Sequence, residues 1–290
     1  MIQRLALGTA QFGLNYGISN KSGKVSEEEV AKILCIAQSN GISTLDTAIN
    51  YGNSEAVLGE VGVKGWDVIS KLPSFPEECS DLSGWVREQL EATLERLQLS
   101  SLKGLLLHHP IQLFDVQGDS LYRALQDMKE QGLVQQVGVS IYEPLELDKL
   151  LSVMNFDLVQ APFNILDHRM EASHWVTKLD ENDIELHTRS VFLQGLLLMS
   201  PSDRPKYFNR WTKLFQEWDA WLADHKLTPM QACLRYVLSQ KSINRVVVGV
   251  DSAQQLQEII SSARGNMPTL EKSFDCVDLD LLNPSKWLVQ

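Results

Sequence analysis

The sequence has no dense run of lysine or arginine. Its 26 basic residues are scattered over 290 positions and outnumbered by 37 acidic ones, for a formal charge of −11. That balance excludes nucleic acid or an anionic membrane as the main partner, while leaving room for a local cation in a pocket. No stretch approaches the roughly 18 apolar residues of a membrane span. The opening Met1–Gly13 segment is too short in its apolar part, and turns glycine-rich too early, for a secretory signal. Cysteine is scarce: Cys35, Cys79, Cys233 and Cys276 are widely spaced and form no Cys-x-x-Cys pair. Neither a zinc site, nor any other metal site, nor a disulfide framework is indicated. Cys35 and Cys233 fall in apolar helical patterns and are expected to be buried thiols, which suits a cytoplasmic location. Repeats, linkers and low-complexity tracts are also missing, so the chain reads as a single domain, 1–290. The sequence carries no signal for an oligomeric state.

What is present is alternation. With 44% hydrophobic and 22% charged residues the chain can build a sizeable core. Short apolar runs at Arg4–Ala10, Ile42–Ala48, Trp66–Leu72, Leu102–His108, Val134–Ser140, Phe156–Pro162, Ile184–Phe192 and Ile243–Val250 read as strands, several of them solidly apolar as covered parallel strands are. Amphipathic helical patterns fill the gaps. Ser26 with Glu29, Thr228 with Gln231, and Ser252 with Gln255 look like capping boxes, and Gly41 and Gly132 stop helices. Strands alternating with helices predict a (β/α)8 TIM barrel, an open doubly wound sheet being the other arrangement with this order. Leu196–Lys226 is too long for a simple connection and carries Trp211, Trp218 and Trp221, which predicts an inserted helix after strand 7. A C-terminal tail, Phe274–Gln290, looks irregular.

In such a barrel the site lies at the carboxyl ends of the strands. Asp46 falls near the end of the second candidate strand, Tyr51 in the loop after it, Lys71 near the end of the third, and His108 at the end of the fourth. Taken singly, Asp46 reads equally well as a turn residue and Tyr51 can be a packing aromatic, while a surface lysine is the commonest fate of a residue such as Lys71 and a hydrogen-bonded core histidine the commoner fate of a lone His108. Four such residues at one mouth fit one site better than four coincidences.

The segments around them resemble the aldo-keto reductase family. These are Leu7-Gly-Thr-Ala-Gln-Phe-Gly13, Asp46-Thr-Ala-Ile-Asn-Tyr-Gly52, Ser70-Lys71, Leu107-His-His-Pro110, Val137-Gly-Val-Ser140 and Val159-Gln-Ala-Pro-Phe-Asn164. The resemblance runs from about residue 4 to about residue 262, and its most specific part is the Asp-x4-Tyr step followed by a strand-end Lys and His. It implies an NAD(P)H-dependent oxidoreductase that moves hydride from a reduced nicotinamide to an aldehyde, ketone or sugar carbonyl, with Asp46, Tyr51, Lys71 and His108 as the tetrad. Tyr51 would donate the proton, Lys71 would lower its pKa, Asp46 would hold the lysine and His108 would orient the carbonyl. His109 is the neighbouring candidate, but strand alternation is expected to turn it away from His108.

The resemblance also implies a cofactor track. Ser140 and Gln160 match the holders of the carboxamide, with Ile141 where the family has Asn. Arg189 stands where the family often stacks a Tyr on the nicotinamide. It would stack there, meet the substrate or a phosphate, or pair with an acid. Ser190, with Gly195 in the following turn, would pass over the pyrophosphate. Gly249, Ser252, Gln255 and Glu258 fall on the adenosine segment, where Ser252 and Gln255 also have a purely structural use as a cap. NADPH is the family default, but Val248–Glu258 contains no cation and Asp251 adds an anion, so NADH is also expected to serve. A Schiff-base lyase using Lys71 and a non-catalytic reductase-like regulatory protein are the alternative functions. Phe12, Tyr16 and Trp287 are candidate pocket-lining aromatics, packing being the commoner use of each.

Overall fold

The computed structural model describes residues 1–18, 20, 23–270, 274 and 276–287. Its strands are β1 (Leu5–Gly8), β2 (Thr44–Asp46), β3 (Asp67–Leu72), β4 (Leu102–Leu107), β5 (Val134–Ser140), β6 (Leu158–Pro162), β7 (Glu185–Arg189) and β8 (Arg245–Gly249). All neighbours pair in parallel and in sequence order, and β1 closes on β8, so the sheet is a barrel and not an open one. Closure is reinforced below the strands by Arg4, whose guanidinium donates to the carbonyls of Leu238, Gln240 and Ile243.

Around the barrel run α1 (Ala10–Gly13), α2 (Glu27–Ser39), α3 (Ser54–Val61), α4 (Leu82–Leu97), α5 (Gly118–Glu130) and α6 (Leu145–Val153). They continue with α7 (Arg169–Ala172), α8 (Trp175–Glu181), α9 (Thr212–His225), α10 (Pro229–Ser239), α11 (Ala253–Ser262) and α12 (Leu279–Leu282). The main core lies between sheet and helices, because each long helix turns one apolar stripe inward: Val30, Ile33, Leu34 and Ala37 of α2, or Leu121, Leu125 and Met128 of α5. A separate small cluster, Ile69, Leu106 and Leu158, comes from three adjacent strands.

The inserted helix after β7 is α9. It packs Phe215, Trp218 and Leu222, and the described part of the tail returns to it: Phe274 meets Trp218 edge-on, and Trp287 meets Phe208. The tail is therefore less irregular than expected, containing α12 and a 3-10 turn at Pro284–Lys286; residues 271–273, 275 and 288–290 lie outside the described residues.

Three local expectations are corrected. Cys35 is exposed, because it follows Leu34 by one residue and so points about 100° off the buried stripe of α2. Cys233 is buried as expected. The box at Thr228 and Gln231 is complete, but the one at Ser26 and Glu29 is half a box. Ser26 Oγ accepts from the Glu29 amide, while the Glu29 carboxylate goes elsewhere. At α11, Ser252 Oγ accepts from the Gln255 amide, and the Gln255 side chain reaches one residue further back, to the amide of Asp251.

Candidate active site

Strand alternation places the chemistry. Residues two apart share a face of a strand, so Lys71 stands one step above Ile69, His108 above Leu106 and Gln160 above Leu158, the three residues of the small cluster. Asp46 ends β2, Arg189 ends β7 and Gly249 ends β8. These ends surround a cavity of about 350 Å³ lined by Asp46, Tyr51, His108, Gln160, Arg189 and Gly249 among others.

Lys71 does not line the cavity. It is 1% exposed, and its ammonium donates to Asp46 Oδ1 at 2.7 Å and to the Thr47 carbonyl at 2.9 Å. Two of its three N–H groups are thus committed, and Nζ lies 5.1 Å from the centre of the Tyr51 ring. Burial lowers its pKa, and the Asp46 carboxylate opposes that shift. Burial and the Asp46 charge raise the Tyr51 pKa, with Arg189 pulling the other way. The expectation that Tyr51 lies below its ordinary value is therefore reversed: desolvation of the phenolate, together with the Asp46 charge, outweighs the pull of Arg189.

The Tyr51 backbone is held by glycines. A Cβ on Gly13 of α1 would lie 1.8 Å from the Tyr51 carbonyl oxygen, and one on Gly52 (φ 58°) 2.5 Å from the Gly13 carbonyl oxygen. His108 packs edge-on to Tyr51 at 5.9 Å. Burial, helped by Lys71 and His109, drives its pKa down to about 3, and Nδ1 has no hydrogen-bond partner among the described residues. His109 does not turn away. β4 ends at Leu107, alternation ends with it, and the His109 ring stacks on His108 at 5.3 Å, exposed and outside the cavity lining.

Of the cofactor candidates, Gln160 is tied into the tetrad. Its Nε2 donates to Asp46 Oδ2 at 2.6 Å and its Oε1 accepts from Ser140 Oγ at 3.2 Å. Ser140 lies behind Gln160, buried and outside the lining. Ser190, Leu193, Gln194 and Gly195 all have positive φ (65°, 48°, 52° and 92°), the backbone form from which anion-binding nests are built. Gln194 Nε2 bonds the Tyr16 hydroxyl at 3.3 Å, joining this loop to the one after β1. Gly249 faces Gln11, whose Nε2 would lie 2.4 Å from a Cβ there. The cavity therefore has a glycine at the end of β8, a polar wall at Gln160 and a kinked loop of positive φ, features that fit a dinucleotide. Ser252 and Glu258 do not line the cavity; Ser252 caps α11, and exposed Glu258 accepts from Gln254. Gln255 does line it. Tyr16 is a lining aromatic, whereas Phe12 and Trp287 are buried in the core.

Sequence reasoning missed two participants. Tyr142 stacks under Arg189, whose guanidinium carbon is 4.5 Å from the ring centre. Glu29, far away in α2, accepts the Ala253 amide at 2.7 Å, at the first turn of α11. Its position in a capping motif gave it another explanation.

Comparison with known proteins agrees with this fold. The profile of the Aldo/keto reductase family matches residues 4–274. An NADH-specific methylglyoxal reductase of Escherichia coli (strain K12) is 22% identical over 92% of this chain and 91% of its own. The chloroplastic pyridoxal reductase of Arabidopsis thaliana is 30% identical over 59% of this chain and 52% of its own. Among solved structures, an aldo-keto reductase from Bacillus halodurans in its holo form superposes with a TM-score of 0.72 at 20% identity, covering 92% of this chain and 88% of that one. A glycerol dehydrogenase from Gluconobacter oxydans gives 0.69 at 22%, with the same coverage.

Proposed function

The chain belongs to the aldo/keto reductase family, and from that premise we propose that it reduces an aldehyde, ketone or sugar carbonyl with Tyr51 as proton donor and with NADH in preference to NADPH. The observation that carries the reading is the tetrad at one barrel mouth: Asp46, Tyr51 and His108 lining the cavity, with Lys71 buried behind them and paired with Asp46.

The nicotinamide, when bound, supplies the hydride. The protein's own residues handle the oxygen. Tyr51, kept protonated by its surroundings, donates its proton to the carbonyl oxygen as the alcohol forms. The third N–H of Lys71 is uncommitted, and its positive charge stabilises the phenolate left behind in a medium of low dielectric. His108 is neutral at physiological pH and so hydrogen-bonds the substrate oxygen without competing as a charged acid. Gln160, which Ser140 holds from behind, would meet the carboxamide, the loop from Ser190 to Gly195 the pyrophosphate, and the neighbourhood of Gly249 and Gln255 the adenosine. The burial of Lys71 and its engagement with Asp46 and Thr47 speak against a Schiff-base role, which needs a free amine in the cavity.

The NADH preference rests on α11. The Ala253 amide is already taken by Glu29 and the Gln255 amide by Ser252. Asp251 lines the cavity and accepts from Asn20, and so does not point to solvent. A 2′-phosphate there would face two carboxylates; the nearby Lys32 is 3.6 Å from Glu29 and engaged with Glu28 as well. Among the relatives, the Escherichia coli enzyme is named NADH-specific.

The test is loss of reduced-nicotinamide absorbance with a carbonyl panel, in wild type and Tyr51→Phe. The variant should lose about 10²- to 10⁴-fold in turnover and still bind NADH. Wild-type turnover by Tyr51→Phe would remove the tyrosine from the mechanism.

A further inference from the structure

The cation at the cavity wall has no use in the steps above. Arg189 ends β7, yet its side chain does not turn toward β8 and α11, where the adenosine segment lies. It leans the other way, across the end of β6, and its Nη2 donates to the Ile141 carbonyl at 3.0 Å just past β5. The guanidinium lies on the Tyr142 ring at 4.5 Å, which fixes its plane. Both contacts place the charge on the side of the barrel where β4 leads into His108.

No carboxylate pairs with Arg189 among the described residues, and one hydrogen bond leaves most of its donors unused. The remaining charges of the lining do not satisfy it. Asp46 is engaged by Lys71 and Gln160, and Asp251 belongs to the β8 side with Asn20. A cation fixed in orientation, facing a cavity and lacking a counter-ion, is arranged for an anion that arrives from solution.

Resting on the reductase reading, we propose that Arg189 makes the site selective for carbonyl substrates that carry their own oxyanion, held by the guanidinium while His108 and Tyr51 meet the carbonyl oxygen. The planar fork suits a carboxylate or a phosphate monoester alike. The balance of the reaction is unchanged: the carbonyl carbon gains hydride, its oxygen gains the Tyr51 proton, the cofactor is oxidised and the anion is a spectator.

The experiment compares matched pairs in wild type, Arg189→Gln and Arg189→Lys: short ω-oxo carboxylates, from glyoxylate upward, against alkanals of the same length, and glyceraldehyde 3-phosphate against glyceraldehyde. NADH affinity is titrated separately by fluorescence, which also reports folding. Wild type should favour the anion of at least one pair type by about ten- to hundredfold in kcat/KM, equivalent to ~1.4–2.7 kcal/mol, and the pair type identifies carboxylate or phosphate. Arg189→Gln should collapse that ratio, and Arg189→Lys should restore part of it. A wild type with no preference for either anion, or a glutamine variant that keeps the ratio and weakens NADH instead, overturns the proposal while leaving the reductase reading intact. NADH binding without turnover of any carbonyl, charged or neutral, overturns the reductase reading and the proposal together.

Discussion

Lys71→Met isolates the one full ion pair buried inside the site. The two side chains are 1% and 6% exposed, and the contact is 2.7 Å. Removing one partner of such a pair strands the other charge, at a typical cost of about 3–5 kcal/mol. Two features set the value here. Asp46 keeps the Gln160 amide at 2.6 Å, which reduces the loss, and the Thr47 carbonyl loses its donor, which adds to it. Methionine fills nearly the same length, so little cavity is created. We expect about 3 kcal/mol, a large share of a total stability on the order of 5–15 kcal/mol. Urea unfolding followed by circular dichroism measures it, with an unchanged m-value as the check that only stability moved. Asp46→Asn in the same chain removes the stranded charge and should recover at least half of the loss while leaving turnover down at least about a hundredfold. A single variant within about 0.5 kcal/mol of wild type, or a double variant no more stable than the single one, would refute the reasoning.

Gly13→Ala should lower kcat by about a hundredfold with little change in NADH affinity, because its Cβ would lie 1.8 Å from the Tyr51 carbonyl oxygen and must push the proton donor off its position; single-turnover kinetics measure this, and a wild-type rate would show that the loop yields freely. Glu29→Gln and Asp251→Asn together should tighten NADPH at least about tenfold relative to NADH, one factor of ten being ~1.4 kcal/mol; an unchanged ratio by titration would place the 2′-position elsewhere. His108 has a folded-state pKa near 3 against an ordinary 6.5, so between those values the unfolded chain binds a proton that the folded one refuses, and wild type loses stability as the pH falls through that window. His108→Gln should remove this loss, so melting temperatures of the two proteins should converge or cross toward acid; a difference constant with pH would contradict the assignment.

Much of this was legible in the sequence, because strand alternation and motif spacing are local properties. The eight strands lie within the expected runs, and the step from Asp46 to Tyr51, with Lys71 and His108 at strand ends, was enough to propose one barrel mouth, where the structure brings these four residues together. What failed depended on contacts between distant segments. Glu29 looked like half of a capping box because its sequence neighbours satisfy that pattern, but its carboxylate found the amide of Ala253 across the α2–α11 contact. His109 lies two residues past the last residue of β4, beyond the reach of its alternation. The Tyr51 pKa is raised because burial, which no spacing rule measures, adds to the Asp46 charge and outweighs Arg189. Tyr142 gave no signal, since its role depends on the direction in which Arg189 leans.

The closure of β1 on β8 also governs how the chain assembles. Leu5 pairs with Val246, and Arg4 holds the carbonyls of Leu238 and Ile243, so the first strand meets its second neighbour only when the last strand exists. On the ribosome, β1 emerges early and keeps one edge unpaired until β8 follows. Such non-local pairing is paid in loop-closure entropy before any contact rewards it, and the waiting edge is open to other chains. Ring closure is therefore expected as a late, slow step that a covalent cross-link between the β8 and β1 segments would accelerate.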